Sequence, residues 1–269
     1  FYRTGRPRDI DASAVFLFAL GLKKTYRKLR RCRVAREEAL RGLDLHLKRG
    51  EVVGLVATSG GGKSTALGIM AGELAPSGGQ CTGLGCDLLC PYTARSLRGL
   101  VSLCPQERDN IWTSLSVREN VLLCAEIRAR ATGRLSELRD RRGSLDGYVD
   151  WLLGSVGLHD HADKRASALS GGMLRRLGLA NATAGSPRLI LLDEITVGVD
   201  PILKRQIWAY VRALVSEGAA AVLSSHDASE IAELATRVAV LRAGRTQAEA
   251  PVVQLLEERG DYVVSVTAD

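Results

Sequence analysis

One stretch carries the strongest chemical signal in this chain: Gly54-Leu55-Val56-Ala57-Thr58-Ser59-Gly60-Gly61-Gly62-Lys63-Ser64-Thr65. Glycines lack a Cβ, so backbone N–H groups can close around phosphate oxygens, and a helix starting just afterwards adds the positive end of its dipole. In such a phosphate-binding loop Lys63 reaches the β- and γ-phosphates and the Ser64 hydroxyl ligates Mg²⁺. The strict pattern G-x-x-x-x-G-K-[ST] asks for glycine where this chain has Ala57. A glycine-rich turn before a helix also arises as a plain loop, so other residues have to decide between the two readings. Asp193-Glu194 closes the apolar run Leu189–Leu192. A carboxylate there suits the Mg²⁺ shell, directly or through water, and Glu194 suits a general base or water-orienting group. An acidic pair at a strand end is equally a common helix cap.

These groups need a scaffold that brings strand ends together. Val52–Val56 reads as a strand before the loop, and Leu67, Met70 and Leu74 as the apolar face of a helix stopping around Pro76-Ser77-Gly78-Gly79. Further strands are expected at Ala14–Ala19, Leu43–Lys48 (alternating), Leu100–Leu103, Leu189–Leu192, Ala219–Leu223, Arg237–Leu241 and Tyr262–Val266. Ser116-Val117-Arg118-Glu119 is a capping box opening a helix to about Arg130. The arginine- and glycine-rich stretch Ala131–Gly147 reads as a surface insertion rather than packed structure. Helices are expected at Tyr148–Val156, Met173–Ala184, Ala228–Ala235 and Val252–Glu258, and from the Asp200-Pro201 cap to Glu217, stopped by Gly218. Strands alternating with helices give an α/β fold with a mostly parallel sheet, which gathers ligands at the carboxyl ends of its strands. The loop after Val56, Gln106 after Leu103, Asp193-Glu194 after Leu192 and His226 after Leu223 all fall at such ends, and together look like a nucleotide site.

At 269 residues the chain has room for one large α/β domain or two small ones. Its hydrophobic content of 46% and charged content of 25% are ordinary for a globular protein. The longest apolar run, Ala14–Leu22, falls short of the roughly 20 residues that span a bilayer. A start at Phe1-Tyr2 reads as a piece of a longer chain. The net charge of +7 is concentrated in Arg27–Arg36 and Arg128–Arg142. A nucleic-acid surface is one reading, though neither block is interleaved with aromatics; a solvated face near anionic lipid headgroups or acidic partners is the other, and the charge alone does not decide, while among partners no nucleic acid is expected. The six cysteines form no C-x-x-C pair and read as reduced thiols.

The order phosphate-binding loop, Gln106, Leu169-Ser170-Gly171-Gly172, Asp193-Glu194, Asp200, His226 resembles the nucleotide-binding domain of ABC transporters, from about Leu22 to the C-terminus. Leu103-Cys104-Pro105-Gln106, Met173, Gly198-Val199-Asp200-Pro201, Ile207-Trp208 and Leu40-Arg41-Gly42-Leu43-Asp44 are similar to the A subfamily, whose members move lipids and amphipathic molecules. The resemblance implies a P-loop NTPase fold of the ABC ATPase type, with an N-terminal antiparallel β subdomain and an inserted helical subdomain. Residues 1–13 are then a linker and 14–269 the nucleotide-binding domain, with helical subdomain about 107–184 and C-terminal tail about 245–269. It implies ATP and Mg²⁺ as cofactors. Tyr26 would stack on adenine, the alternative being a strand-end tyrosine. Ala57, Thr58, Ser59, Gly60, Gly61, Gly62, Lys63, Ser64 and Thr65 would hold the phosphates, with Ser64, Gln106 and Asp193 toward the metal. Glu194, His226 and Gln106 would be catalytic, His226 on the γ-phosphate and Gln106 on the metal or lytic water. Ser170, Gly171 and Gly172 would bind the γ-phosphate held by a second such domain in a head-to-tail dimer, with Asp200 crossing the interface.

The chain departs from the family pattern at Ala57, at Thr58 and Ser59 in place of Pro-Asn, and at Ile195 in place of proline. Alanine is harmless at the loop entrance if its φ is negative, and costs about 1 kcal/mol or more otherwise. The resemblance implies an ATPase at the cytoplasmic face of a membrane, working with transmembrane domains of the same transporter that lie outside this sequence. A non-transport ABC ATPase would carry a long coiled coil or a second such domain, neither visible here; a degenerate regulatory domain would bind ATP without turning it over.

Overall fold

The computed structural model describes residues 15–30, 33–58, 60–90, 92, 97, 99–107 and 109–252. In chain order these form strands β1 (Val15–Arg30), β2 (Arg33–Lys48) and β3 (Val52–Ala57), helix α1 (Lys63–Met70), and strands β4 (Gly78–Gly83), β5 (Cys86–Asp87) and β6 (Val101–Cys104). Helices α2 (Val117–Thr132), α3 (Leu135–Arg142), α4 (Leu145–Ser155) and α5 (Gly171–Thr183) follow, then β7 (Leu189–Asp193) and α6 (Pro201–Ser216). The chain continues with β8 (Ala220–Ser224), α7 (Ala228–Leu234), β9 (Arg237–Arg242) and β10 (Arg245–Pro251). It divides into two compact units, residues 1–94 with 220–269, and residues 95–219. The expected linker and the expected tail helix and strand beyond Val252 lie outside the described residues.

In the first unit the strand order is β5-β4-β1-β2-β10-β9-β3-β8. β3 is buried along its length apart from the half-buried Val56, as a strand covered on both faces must be. Its parallel neighbours are β8 on one edge and β9 on the other. β1, β2, β4 and β5 pair antiparallel. The first two strands are far longer than the alternation at Ala14–Ala19 and Leu43–Lys48 suggests, each running to 16 residues. Register shifts between Ala19 and Leu22, at Lys23 and at Lys24–Thr25 break the period of two that a sequence reading depends on. Leu17, Ala19 and Leu22 of β1 and Leu43, Leu45 and Leu47 of β2 are buried. Helix α1 ends at Met70, short of Leu74, because Gly72 turns left-handed (φ 74) and the Glu73 and Leu74 amides bond back to the Gly68 carbonyl.

The second unit is built on the parallel pair β6–β7, in register from Val101↔Leu189 to Cys104↔Leu192. All five β7 residues are buried. The capping box at Ser116 opens α2 as expected. Ala131–Gly147 is a correction: most of it is helical rather than a loose insertion. Gly133 (φ 69) ends α2, and α3 follows at once, with Leu138 fully buried and Gly143 (φ 75) as its stop. Arg134 pairs with Glu137 through Nε (2.7 Å) and donates to the Ser186 carbonyl, so one of the arginines that suggested a solvated loop tethers it instead. Ser144 then caps α4. Arg128 on α2 donates to the carbonyls of Asn181 and Ala184, at the end of α5, and to Ser102 Oγ on β6. Burial pushes its pKa down from the usual arginine value.

The expected α/β architecture is therefore present: parallel core strands, an antiparallel N-terminal portion, and a run of helices between β6 and β7. No helix among the described residues is long and apolar enough to cross a membrane.

Candidate functional site

The glycine-rich loop joins β3 to α1 in the first unit. Gly60 (φ 74) and Gly62 (φ 94) adopt left-handed conformations, and Gly61 N–H bonds to the Thr58 carbonyl at 2.9 Å. A Cβ on Gly62 would stand 2.5 Å from the Ala39 carbonyl oxygen, and one on Gly61 2.8 Å from the Ala57 methyl. Side chains are thus excluded from the two positions before Lys63. Gly62 is the N-cap of α1 and provides no side-chain hydrogen bond to the first-turn amides, and that turn holds no acidic residue. An anion fits there, since uncapped N–H groups and the helix dipole both favour negative charge. The buried Lys63 has its Nζ 3.3 Å from the Ala57 carbonyl and 3.1 Å from His226 Nε2. Ser64 is exposed beside it. Ser59 lies outside the described residues.

Two other sequence-predicted residues meet this loop. Tyr26 Oη lies 3.3 Å from Thr65 Oγ1, and Lys24 Nζ stands 5.2 Å from the Tyr26 ring centroid. Lys24 also donates to the Ala75 carbonyl, so Tyr26 is held at the loop by its neighbour on the strand. His226 is exposed at the end of β8. Its placement depends on a clamp that the sequence reading missed. Ser225 Oγ donates to the buried Glu230 carboxylate (2.6 Å) and accepts from the Asp227 amide (3.0 Å), while Asp227 caps α7. The signal was there: Asp227-Ala228-Ser229-Glu230 has the spacing of a capping box, with Glu230 turned to Ser225.

In the second unit the β6–β7 register sets Pro105-Gln106 alongside Asp193-Glu194. Gln106 Nε2 donates to Glu194 Oε2 at 3.0 Å. Asp193 and Glu194 are both buried, and Glu194 has φ 52, a left-handed conformation that costs a non-glycine residue about 1 kcal/mol or more. Arg175 of α5 donates to the Gln106 carbonyl (2.6 Å), a link from the helix of the Leu-Ser-Gly-Gly segment to the glutamine that no spacing rule would find. Ser170 caps α5 through the Met173 amide (3.3 Å). A Cβ on Gly172 would come within 3.1 Å of the Gly198 carbonyl. Asp200 caps α6, accepting from the Ile202 and Leu203 amides, with Pro201 at the first helical position. Ile195, in place of the family proline, is fully buried.

Two of the departures, Ala57 and Ile195, resolve differently. Ala57 is the last residue of β3 and is absent from the positive-φ positions, so its methyl strains nothing and fills space that a Gly61 side chain would need. Ile195 replaces proline's rigidity with burial in the unit's core.

A cradle of this kind, an apolar parallel strand running into a left-handed glycine turn with a buried lysine at an uncapped helix start, defines the P-loop class of nucleotide-binding ATPases. Comparison with known proteins narrows the class. The family described as ABC transporter matches residues 40–197, more than half of the chain, and the chain belongs to that family as its ATPase cassette. The Nod factor export ATP-binding protein I of Neorhizobium galegae is 36% identical over 216 residues, covering 80% of this chain and 58% of that protein. ABC transporter A family member 8 of Dictyostelium discoideum is 33% identical over 266 residues, covering 98% of this chain and 30% of that protein. The chain thus spans only part of these relatives. Among solved structures, the ATP-binding subunit of an ABC transporter superposes with a TM-score of 0.75 at 22% identity, covering 91% of this chain and 93% of that one. A dimeric ATP-binding cassette in a post-hydrolysis state, bound to ADP and Pi, superposes with a TM-score of 0.75 at 24% identity, over 88% and 98%. These two likenesses speak for the fold.

Proposed function

We propose that this chain binds and hydrolyses ATP with Mg²⁺ to power movement of lipids or amphipathic molecules across a membrane. A second such domain in head-to-tail contact would complete its site, and the work would be done on transmembrane domains at the cytoplasmic face. The observation that carries the hydrolytic part is the Gln106–Glu194 hydrogen bond, with Glu194 buried at the end of β7. A glutamine bound to a carboxylate orients it, and a carboxylate so held can accept a proton from water. Ala57 to Thr65 hold the phosphates in this reading, with Lys63 released from His226 to the γ-phosphate and His226 following it. The Ser64 hydroxyl, the Gln106 amide oxygen and the Asp193 carboxylate are hard oxygen donors that suit Mg²⁺, which when bound offsets the charge of the phosphates. Tyr26 stacks on adenine. Ser170, Gly171, Gly172 and Asp200 serve the partner domain's nucleotide. Residues 14–269 act together as the nucleotide-binding domain, 107–184 as its helical subdomain and 245–269 as its tail.

The transport reading is supported by the relatives, Nod factor export ATP-binding proteins in one group and members of the ABC transporter A family in the other. The lipid or amphipathic substrate follows from the A-family likeness. The test is ATP turnover and ATP-dependent dimerisation of three proteins, the parent, Lys63→Ala and Glu194→Gln, followed by phosphate release and light scattering. Lys63→Ala loses binding. Glu194→Gln keeps binding, accumulates a dimer with ATP and turns over at least about 100-fold more slowly. A Glu194→Gln protein as fast as the parent would remove the base assignment.

A further inference from the structure

Between Lys23 and Arg36 the chain carries eight lysines and arginines and no aspartate or glutamate, a concentration that nucleotide chemistry does not use. The described residues of this stretch, 23–30 and 33–36, are the outer parts of the paired strands β1 and β2. The third strand on the β1 side, β4, pairs only as far as Lys23, and on the β2 side β10 pairs only at Gly42. From Tyr26↔Glu37 outward the pairs are Arg27↔Arg36, Lys28↔Ala35, Leu29↔Val34 and Arg30↔Arg33. The free part, 24–30 with its partners on β2, is thus a two-stranded ribbon roughly 20 Å long, whose acids Glu37 and Glu38 lie at its root opposite Tyr26 and Thr25 while the cations occupy its outer end. Such a ribbon is marginal by itself, and like charges directly opposite weaken it further. Arg27 faces Arg36 across the ladder and both are exposed. Its root is fixed: Thr25 N–H donates to Ser77 Oγ and Lys24 Nζ to the Ala75 carbonyl.

A ribbon with a fixed root and self-repelling charge is stabilised by an anionic counter-surface. We propose that the outer ribbon, residues 27–30 of β1 paired with 33–36 of β2, docks on anionic lipid headgroups of a membrane. A single-stranded nucleic acid would call for aromatics among the cations, and the only one in the stretch, Tyr26, sits at the root against Thr65. A protein partner would call for aromatic or bulky apolar anchors, and beyond Tyr26 the described residues of the ribbon offer only Leu29, Val34 and Ala35. A lipid surface needs only charge, and each Lys or Arg near it strengthens binding several-fold. The proposal rests on register and charge alone, so loss of ATP turnover in Lys63→Ala leaves it standing.

The test is flotation of the purified chain with vesicles of phosphatidylcholine containing 30% phosphatidylserine, against phosphatidylcholine alone. The chain is expected to float with the anionic vesicles and to be released as salt rises toward 0.5 M. Replacing Arg27, Arg30, Arg33 and Arg36 by glutamine weakens binding by at least about 100-fold, with basal ATP turnover unchanged. Replacing the exposed Arg130, Arg139, Arg205 and Arg242 instead leaves binding within about threefold. Absence of flotation by the parent chain, indifference of its binding to salt, or equal loss in both quadruple variants would each overturn the proposal. The flotation and salt arms use only the parent chain, so they hold even if the ribbon variant misfolds.

Discussion

Ala57 stands where the phosphate-loop pattern asks for glycine, and its backbone explains why this is tolerated. It closes a β-strand with negative φ, so a methyl group adds no strain. Ala57→Gly should lower stability by about 0.5–1 kcal/mol, through freedom gained by the unfolded chain, and leave ATP affinity within about twofold. Urea unfolding and nucleotide titration check both arms. Glu194 is the opposite case: its left-handed backbone would suit glycine or asparagine better, yet it carries a carboxylate in a hydrogen bond with Gln106. The Lys63, Asp193 and Ser170 positions could be read from the sequence because each is bound to a local signal, a glycine turn, a strand end or a helix cap. The Arg175–Gln106 link could not, because its two residues are 69 positions apart and only the packed helix brings them together.

At the scale of elements, what local chemistry dictates was legible. β3 and β7 are continuous apolar runs, α2 begins at a capping box, and α6 at Asp200-Pro201. β4, β5 and β10 are polar or glycine-rich and become strands only because a neighbour from elsewhere in the chain offers an edge. Thus β10 is drawn in by β9 along Arg245–Pro251. Helix α3 was hidden by an arginine-rich sequence that suggests solvent, yet Arg134 at its start is satisfied by Glu137 and the Ser186 carbonyl. Arg128 works in the same way between α2, the end of α5 and β6. Its replacement by methionine keeps the bulk but leaves the Asn181 and Ala184 carbonyls without this donor. Arg128→Met should therefore destabilise the fold by about 3 kcal/mol, with Arg128→Lys intermediate, read from urea midpoints.

For the whole molecule, acid stability follows from a charge cluster that ties distant parts of the first unit together. Arg237 on β9 binds Glu51 (2.7 Å), Glu249 of β10 and the His46 carbonyl, and His46 Nδ1 lies 3.6 Å from Glu249. Burial, then the Arg237 charge, lowers the His46 pKa from 6.5. Burial acts to raise the Glu51 pKa, but hydrogen bonds from Arg237 and the Lys48 amide bring it below 4.5. Both shifts mean that the unfolded chain takes up protons more readily than the folded one. Stability should therefore fall as pH drops below about 6.5 through His46, and further below about 4.5 through Glu51. Urea midpoints at pH 7.5 and 5.5 measure the first step, and His46→Gln should shrink the difference between them.

The order of strands has a further consequence for how the chain is made. β3 carries the phosphate loop, but its two neighbours, β8 and β9, come from residues after Ala219. On the ribosome β3 therefore emerges with both edges bare and stays so while the whole second unit, Arg95–Ala219, is synthesised, a wait of several seconds or more at about 5–20 residues per second. The second unit is contiguous and can fold during that interval, whereas the loop that gives the protein its chemistry takes shape only after nearly all of the described chain has been translated. Until then a six-residue apolar strand has to be kept from pairing with the wrong partner. Nascent-chain protection, rather than the mature fold, is where this protein is most exposed to aggregation.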